Sequence, residues 1–278
     1  MRRKLLLILA LAVLIAGRCC GTALADQGGS CGDNVTWTLN STTHKLTISG
    51  TGAMTDYTRG AAPWYADRDS IRSVLVEDGV TGLGNYSFYG LSNMTSATIP
   101  DSVTRINNCA FFGCTGLTGV TIPCSVTRID YRAFTDCTSL TSVTIRNPDC
   151  EIGDVGYDVF NGCAAGFTLR GYSGSTAEAY AGNARNPCGF ALLAPAPDFF
   201  LPAALKTIEA DAFRGVKAKA VVIPKSIRSI PGNPFADSDV RCIYGFPGTA
   251  AETLTENNPE WFVYFVPLTD AWYARLTN

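Results

Sequence analysis

The chain has 278 residues, 46% of them hydrophobic, and a formal net charge of −2. That is enough chain for one large core or two small ones. A balance so close to neutral sets aside nucleic acid as a partner, which would call for a strongly basic face, and also a charge-extended disordered chain.

Arg2, Arg3 and Lys4 open the chain, and an unbroken apolar run follows from Leu5 to Ala16. Ala23 and Ala25 place small residues at the −3 and −1 positions of a signal-peptidase cut. The run is too short for an ordinary membrane span, and no later stretch reaches that length, so no transmembrane segment is expected in the mature chain. Arg18 stands where lipid attachment at Cys19 would want a small residue. The reading is a signal peptide over 1–25 and a secreted chain that starts at Asp26.

Val35–Leu39 ("VTWTL") and Lys45–Ser49 ("KLTIS") alternate apolar and polar residues and predict a hairpin. With "PWY" at Pro63–Tyr65 it forms an N-terminal cap over 26–64. From there the chain repeats every 23 residues. Ile71, Met94, Leu117 and Leu140 share one register; Val74, Ala97, Val120 and Val143 another; Val76, Ile99, Ile122 and Ile145 a third. Val80, Val103 and Val126 repeat in phase, as do Leu83, Ile106 and Ile129, and Tyr65, Phe88, Phe111 and Phe134 make an aromatic column. This period and its L-x-x-V-x-I core predict a leucine-rich-repeat solenoid. Val120 and Ile122 alternate as a short strand does, and Pro123, like Pro100 and Pro224, stops the strand because it brings no N–H to a ladder. The Ala-Phe units (Ala110-Phe111, Ala133-Phe134, Ala212-Phe213) bring the chain back through a tight helical or 3₁₀ turn. Successive strands then lie side by side in a parallel sheet, about 4.8 Å apart. One such turn leaves both its apolar edges and its backbone ladder open, so the turns are stable only as a stack.

The columns continue with slippage through Phe160 and Cys163, and resume from Leu205 with Phe213 and Phe235. "GYSGSTAEAYA" at Gly171 and "GFPGTAAETLT" at Gly245 match each other. Each holds a capping box, Ser175 with Glu178 and Thr249 with Glu252, so a short helix begins there. An apolar stretch follows each one. Both are read as strand-helix-strand end caps that cover the open edge of a solenoid. The expected organisation is a first array of about four repeats plus cap over 65–194, a Pro/Ala joint at 195–198, and a second, shorter array over 199–278. Two repeats are too few to stand alone, so the second array should pack against the first.

Nine cysteines remain after the signal peptide, an odd number that cannot all pair within one chain. Cys114, Cys137 and Cys163 each fall three residues after the phenylalanine, in a slot filled elsewhere by Leu91, Val216 and Ser238. That substitution pattern describes a small buried packing site rather than a metal or redox centre. There is no C-x-x-C pair, and His44, the single histidine, lies in the hairpin turn, so neither zinc nor a His-dependent relay is expected. "GTGAM" at Gly50–Met54 puts Thr55 where a dinucleotide loop has its third glycine. No cofactor, metal or catalytic set is predicted. The N-x-S/T sequons at Asn34, Asn40, Asn85 and Asn93 are read as turn composition.

Two features are candidates for binding. Thr98, Thr121 and Thr144 occupy the outward strand position, flanked by Ser96, Gly119 and Ser142, and make a flat, small, uncharged face suited to an extended peptide or a glycan. Between Leu201 and Ile230, Lys206, Arg214, Lys217, Lys219, Lys225 and Arg228 stand against only Glu209 and Asp211, a basic patch that an acidic partner would fit.

The opening "CGDNVTWTL" with "KLTISGTGAM", the "PWY" entry, the "IPDSVTRI…AF..C..L..VTIP" turns and the two "G(S/T)(T/A)AE" caps resemble the BspA-like leucine-rich-repeat family of bacterial surface proteins, over nearly all of the mature chain. The resemblance implies a secreted or surface-bound protein of a host-associated bacterium with a role in adhesion or in binding proteins; with no catalytic set in the sequence, the expected function is non-enzymatic binding of a protein or glycan. The alternative is a structural spacer of the cell envelope. Ser102, Ser125 and Ser226 depart from the pattern, standing where leucine-rich repeats usually carry an inward Asn ladder.

Overall fold

The structure, a computed structural model, describes residues 26–153, 158–182, 188–194, 197–261 and 264–277. The expected signal peptide, and Pro195 and Ala196 of the expected joint, lie outside them. The chain winds as a parallel β-solenoid. Its front face starts with the antiparallel strands Gln27–Ser30, Val35–Leu39 and Lys45–Gly50 and continues in parallel through Ser73–Val76 and Ser96–Thr98. The hairpin is as read, and Gln27–Ser30 adds an outer strand to it. A second front ladder holds Gly119–Ile122, Ser142–Ile145, Thr168–Gly171 and Gly189–Leu192 in parallel. The rear face, which the sequence columns did not mark as strands, is a parallel sheet of short rungs: Gly52–Ala53, Val80–Leu83, Arg105–Ile106, Arg128–Ile129 and Glu151–Ile152. A fourth sheet, all parallel, runs Phe199–Phe200, Ala220–Val222, Cys242–Gly245 and Tyr264–Pro267.

The 23-residue register becomes side-chain stacking. Val120 faces Val143 and Ile122 faces Ile145 across paired strands, all four buried. The Phe88, Phe111 and Phe134 rings stack with centroids 5.0 Å apart at each step, and Phe160 continues the column at 5.6 Å. The head of that column is not Tyr65, as the spacing suggested, but Trp64. It is fully buried, stacks on Phe88 at 6.0 Å and donates its indole N–H to the Ser87 carbonyl. The one-residue slip falls where the chain enters the first turn through a short 3₁₀ turn, Tyr65–Asp67.

The Ala-Phe segments are not helical. They are consecutive tight turns whose alternate N–H groups reach the next coil, as Phe88 does to Ala110 and Phe111 to Ala133. Such a path needs left-handed backbone at a fixed place. The residue two after each phenylalanine has φ between 54° and 72°: Gly90, Gly113, Asp136, Gly162, Gly215 and Asp237. Glycine and aspartate fill the slot because they tolerate that region.

Several polar groups facing inward are satisfied coil to coil. The Cys114, Cys137 and Cys163 thiols donate to the carbonyls of Phe88, Phe111 and Phe134 at 3.1, 3.1 and 3.5 Å. Ser102 and Ser125 donate to Val80 and Val103, and Asn147 takes the next rung, donating to Val126 at 2.9 Å. One asparagine of the usual ladder therefore survives between the serines. The Ser226 hydroxyl, in the second array, is buried without a hydrogen-bond partner.

Both expected caps are strand-helix-strand, with α1 (Thr176–Ala181) and α2 (Ala250–Asn257). The first capping box is only half formed and the second is not formed. Ser175 accepts from the Glu178 N–H, but Glu178 accepts from Gly174 rather than from Ser175 itself. Thr249 turns away and donates to the Phe246 carbonyl, while Glu252 accepts from Gly248. A third helix, α3 (Asp270–Thr277), was not foreseen. It closes a separate apolar cluster made by Ala194, Ala220, Val222, Cys242, Tyr244, Phe246, Val266, Leu268 and Trp272, with Tyr172 packed against it. The outer face of the fourth sheet is thereby buried against α3 and the first cap.

Candidate functional site

The threonine face is assembled by strand register. Thr121 lies directly opposite Thr144, and Gly119 opposite Ser142, on adjacent parallel strands. Thr98 belongs to the other front ladder, where it pairs with Leu75, and Ser96 pairs with Ser73. Thr98, Thr121 and Ser96 are exposed; Thr144 and Ser142 are half-buried. On the far side Thr144 meets Arg170, so the uncharged face ends there.

Between Ser96–Thr98 and Gly119–Ile122 the front sheet has no ladder, whereas the rear rungs and the phenylalanine column run through the same two coils unbroken. The sheet is split at this seam. Ile99 and Val120 beside it are 8% and 7% exposed, against 0% for Ile122 and Val143 one step on. An open groove of about 690 Å³ lies over the seam and brings together Thr98, Thr121, Ser142 and Thr144. Asp78, Asp101 and Arg146 also line it, and these the sequence reading missed. Their signal was available: Asp101 follows the strand-stopping Pro100, Asp78 precedes it by 23 positions, and Arg146 occupies the slot of Pro123.

The basic set is divided by the fold. Arg214 pairs with Asp211 and Asp237, Lys217 with Asp239, and Lys225 with Asp270 while lying 5.3 Å from the Phe246 ring centre. Lys206, Lys219 and Arg228 are exposed.

Six of the thiols, Cys31, Cys109, Cys114, Cys137, Cys150 and Cys242, are buried; Cys163 and Cys188 are half-buried and Cys124 is exposed. Burial pushes Cys31, Cys150 and Cys242 up to about 12, so at neutral pH they carry no thiolate. Cys137 is raised by its contact with Cys114 and by burial. Among the described residues no group of His, Cys, Asp and Glu is arranged to hold a metal, and no helix is long and apolar enough to cross a membrane.

The model of the BspA type leucine rich repeat region matches residues 64–167 and 190–256, in six copies. No curated protein matches. Among solved structures, the chain is similar to a leucine-rich repeat protein from Eubacterium ventriosum (22% identity, 81% of this chain and 73% of that one, TM-score 0.43). It is also similar to a leucine-rich repeat protein of T. pallidum (16% identity, 82% and 92%, TM-score 0.35). A third is a leucine rich cell surface protein from Faecalibacterium prausnitzii (18% identity, 79% and 83%, TM-score 0.25).

Proposed function

Because the chain belongs to the BspA type leucine-rich-repeat family, we propose that it is a secreted, non-enzymatic binding protein whose two arrays present a recognition surface to host or neighbouring-cell macromolecules. The split front sheet carries this reading. At the seam, small hydroxyl side chains border a groove with Asp78, Asp101 and Arg146 in its wall. An extended peptide fits such a place, because its polar groups hydrogen-bond to the exposed hydroxyls and its charged side chains meet Asp78, Asp101 or Arg146. A glycan would use the same hydroxyls.

The test is a pull-down of immobilised matrix proteins and glycans with the soluble chain 26–278, alongside Thr121→Lys, which sets a long charged side chain at the centre of the face. Saturable retention that the substitution abolishes supports binding at the groove. Absence of any saturable retention would leave the envelope spacer as the better account.

A further inference from the structure

The turns that return the chain carry two aromatic columns, not one. Trp64, Phe88, Phe111 and Phe134 point into the core; the residue after each of the first three, Tyr65, Tyr89 and Phe112, points out and is half-buried. Tyr89 stacks on Phe112 at 5.5 Å and lies 6.1 Å from Tyr65 and 5.8 Å from Tyr86. The fold does not require rings here. The same slot holds Thr135, Asn161, Arg214 and Ala236 in the later coils.

Arginines lie over rings on this flank, one of them on the outer column itself. Arg59 sits 5.0 Å from the Tyr89 centroid, and Arg132 4.9 Å from that of Tyr131 in the next coil but one. Tyr86, Cys109 and Arg132 hold one register position in three successive coils, 23 residues apart, all with left-handed backbone, and the coils are joined there by the Tyr86 N–H to the Asn108 carbonyl and the Cys109 N–H to the Tyr131 carbonyl, so the patch is continuous. Both arginines are exposed, and among the described residues neither has a carboxylate within ion-pair distance; Arg68, over Tyr65, is paired with Asp69.

We propose that the turn flank formed by Tyr65, Tyr86, Tyr89, Phe112, Arg59 and Arg132 is a second interaction surface, distinct from the groove, and that its partner is an acidic extended peptide. A guanidinium resting on a ring is already oriented, and its in-plane N–H groups stay available for a bidentate carboxylate. With ring faces occupied by neighbours, the rings offer mainly their edges, the positive end of the aromatic quadrupole. Cations and ring edges together favour carboxylates, while the apolar ring area accepts the side chains between them. Tyrosine and arginine are also the residues that dominate binding energy in protein interfaces.

The experiment is fluorescence anisotropy of a labelled fifteen-residue peptide of alternating Glu and Ala, titrated with chain 26–278. Wild type should bind it saturably, more weakly as salt rises. The double substitution Arg59→Gln with Arg132→Gln should weaken binding about tenfold with unchanged thermal unfolding, and Thr121→Lys on the groove should leave it unaltered. No saturable binding, equal binding by the double variant, or loss with Thr121→Lys would overturn the proposal. So would a heparin oligosaccharide that binds more tightly than the peptide and is lost with the same two arginines, since the flank would then be a glycan site.

Discussion

Replacing Trp272 by alanine should uncouple the two arrays. The side chain is fully buried, its ring 5.1 Å from Tyr172 of the first cap and 5.6 Å from Tyr244 of the fourth sheet. Its indole N–H donates to the Ser173 carbonyl at 2.7 Å. Truncating a buried tryptophan costs about 3–5 kcal/mol, and the Ser173 carbonyl left without its donor adds to that by about 1 kcal/mol or more. Arg275, on the same helix, donates to Gly174 and pairs with Asp149, so some contact between the arrays outlasts the substitution. Urea unfolding followed by circular dichroism should show a single transition in wild type and, in Trp272→Ala, an early phase of the second array ahead of the first. Limited proteolysis should cut within residues 199–277 in the variant under conditions where wild type resists. Trp272→Phe keeps most of the packing and should lose only about 1–2 kcal/mol. A Trp272→Ala protein that unfolds in one transition, shifted by less than about 0.5 kcal/mol, would refute the idea that this ring joins the arrays.

Ser125→Ala removes the hydroxyl that donates to Val103 at 2.6 Å, and Asn147→Ala the amide that donates to Val126; the unfolding free energy from urea denaturation should fall by about 1 kcal/mol for the first and about 1–3 kcal/mol for the buried second. The buried thiols make stability fall in alkali. Cys31, Cys150 and Cys242 are raised by burial from 9.0 to about 12, so the stability they confer is whole below pH 9 and is lost as the pH rises toward 12. Urea midpoints measured from pH 8.5 to 11 should therefore decline, and Cys150→Ala should flatten the decline; a rising midpoint would contradict the assignment. Gly113→Val places a β-branched residue at φ 70° and should cost about 1–3 kcal/mol by thermal unfolding, whereas Gly113→Asp, matching the natural Asp136, should cost less.

The front strands, the inner columns and the two end caps were legible in the sequence because each is an apolar pattern repeated at a fixed count. Other features were not. The rear sheet was hidden because its rungs, such as Arg105–Ile106 and Arg128–Ile129, are two residues long, too short for an alternation to register. Trp64 was passed over for Tyr65 because counting by 23 takes no account of the 3₁₀ turn that shifts the first coil by one residue. The incomplete capping boxes have the right residues, but side-chain rotamers decide which N–H is reached, and spacing does not encode them. α3 is a short helix whose partners, Tyr172 and Tyr244, are distant in sequence, so only tertiary contact identifies it. Of the groove, the threonines and serines were visible as a column. The seam beneath them was not, since nothing in the letters of Ser96–Thr98 or Gly119–Ile122 marks a missing ladder.

The most direct test of the architecture is a double-mutant cycle on Phe111 and Phe134, whose rings lie 5.0 Å apart and nearly parallel, using leucine at each position and urea unfolding as the readout. Stacking in adjacent coils predicts a coupling of about 0.5–1.5 kcal/mol for this pair and almost none for Phe88 with Phe134, two coils apart. Additivity of Phe111 and Phe134 within about 0.3 kcal/mol would show that residues 23 apart are not neighbours in the core.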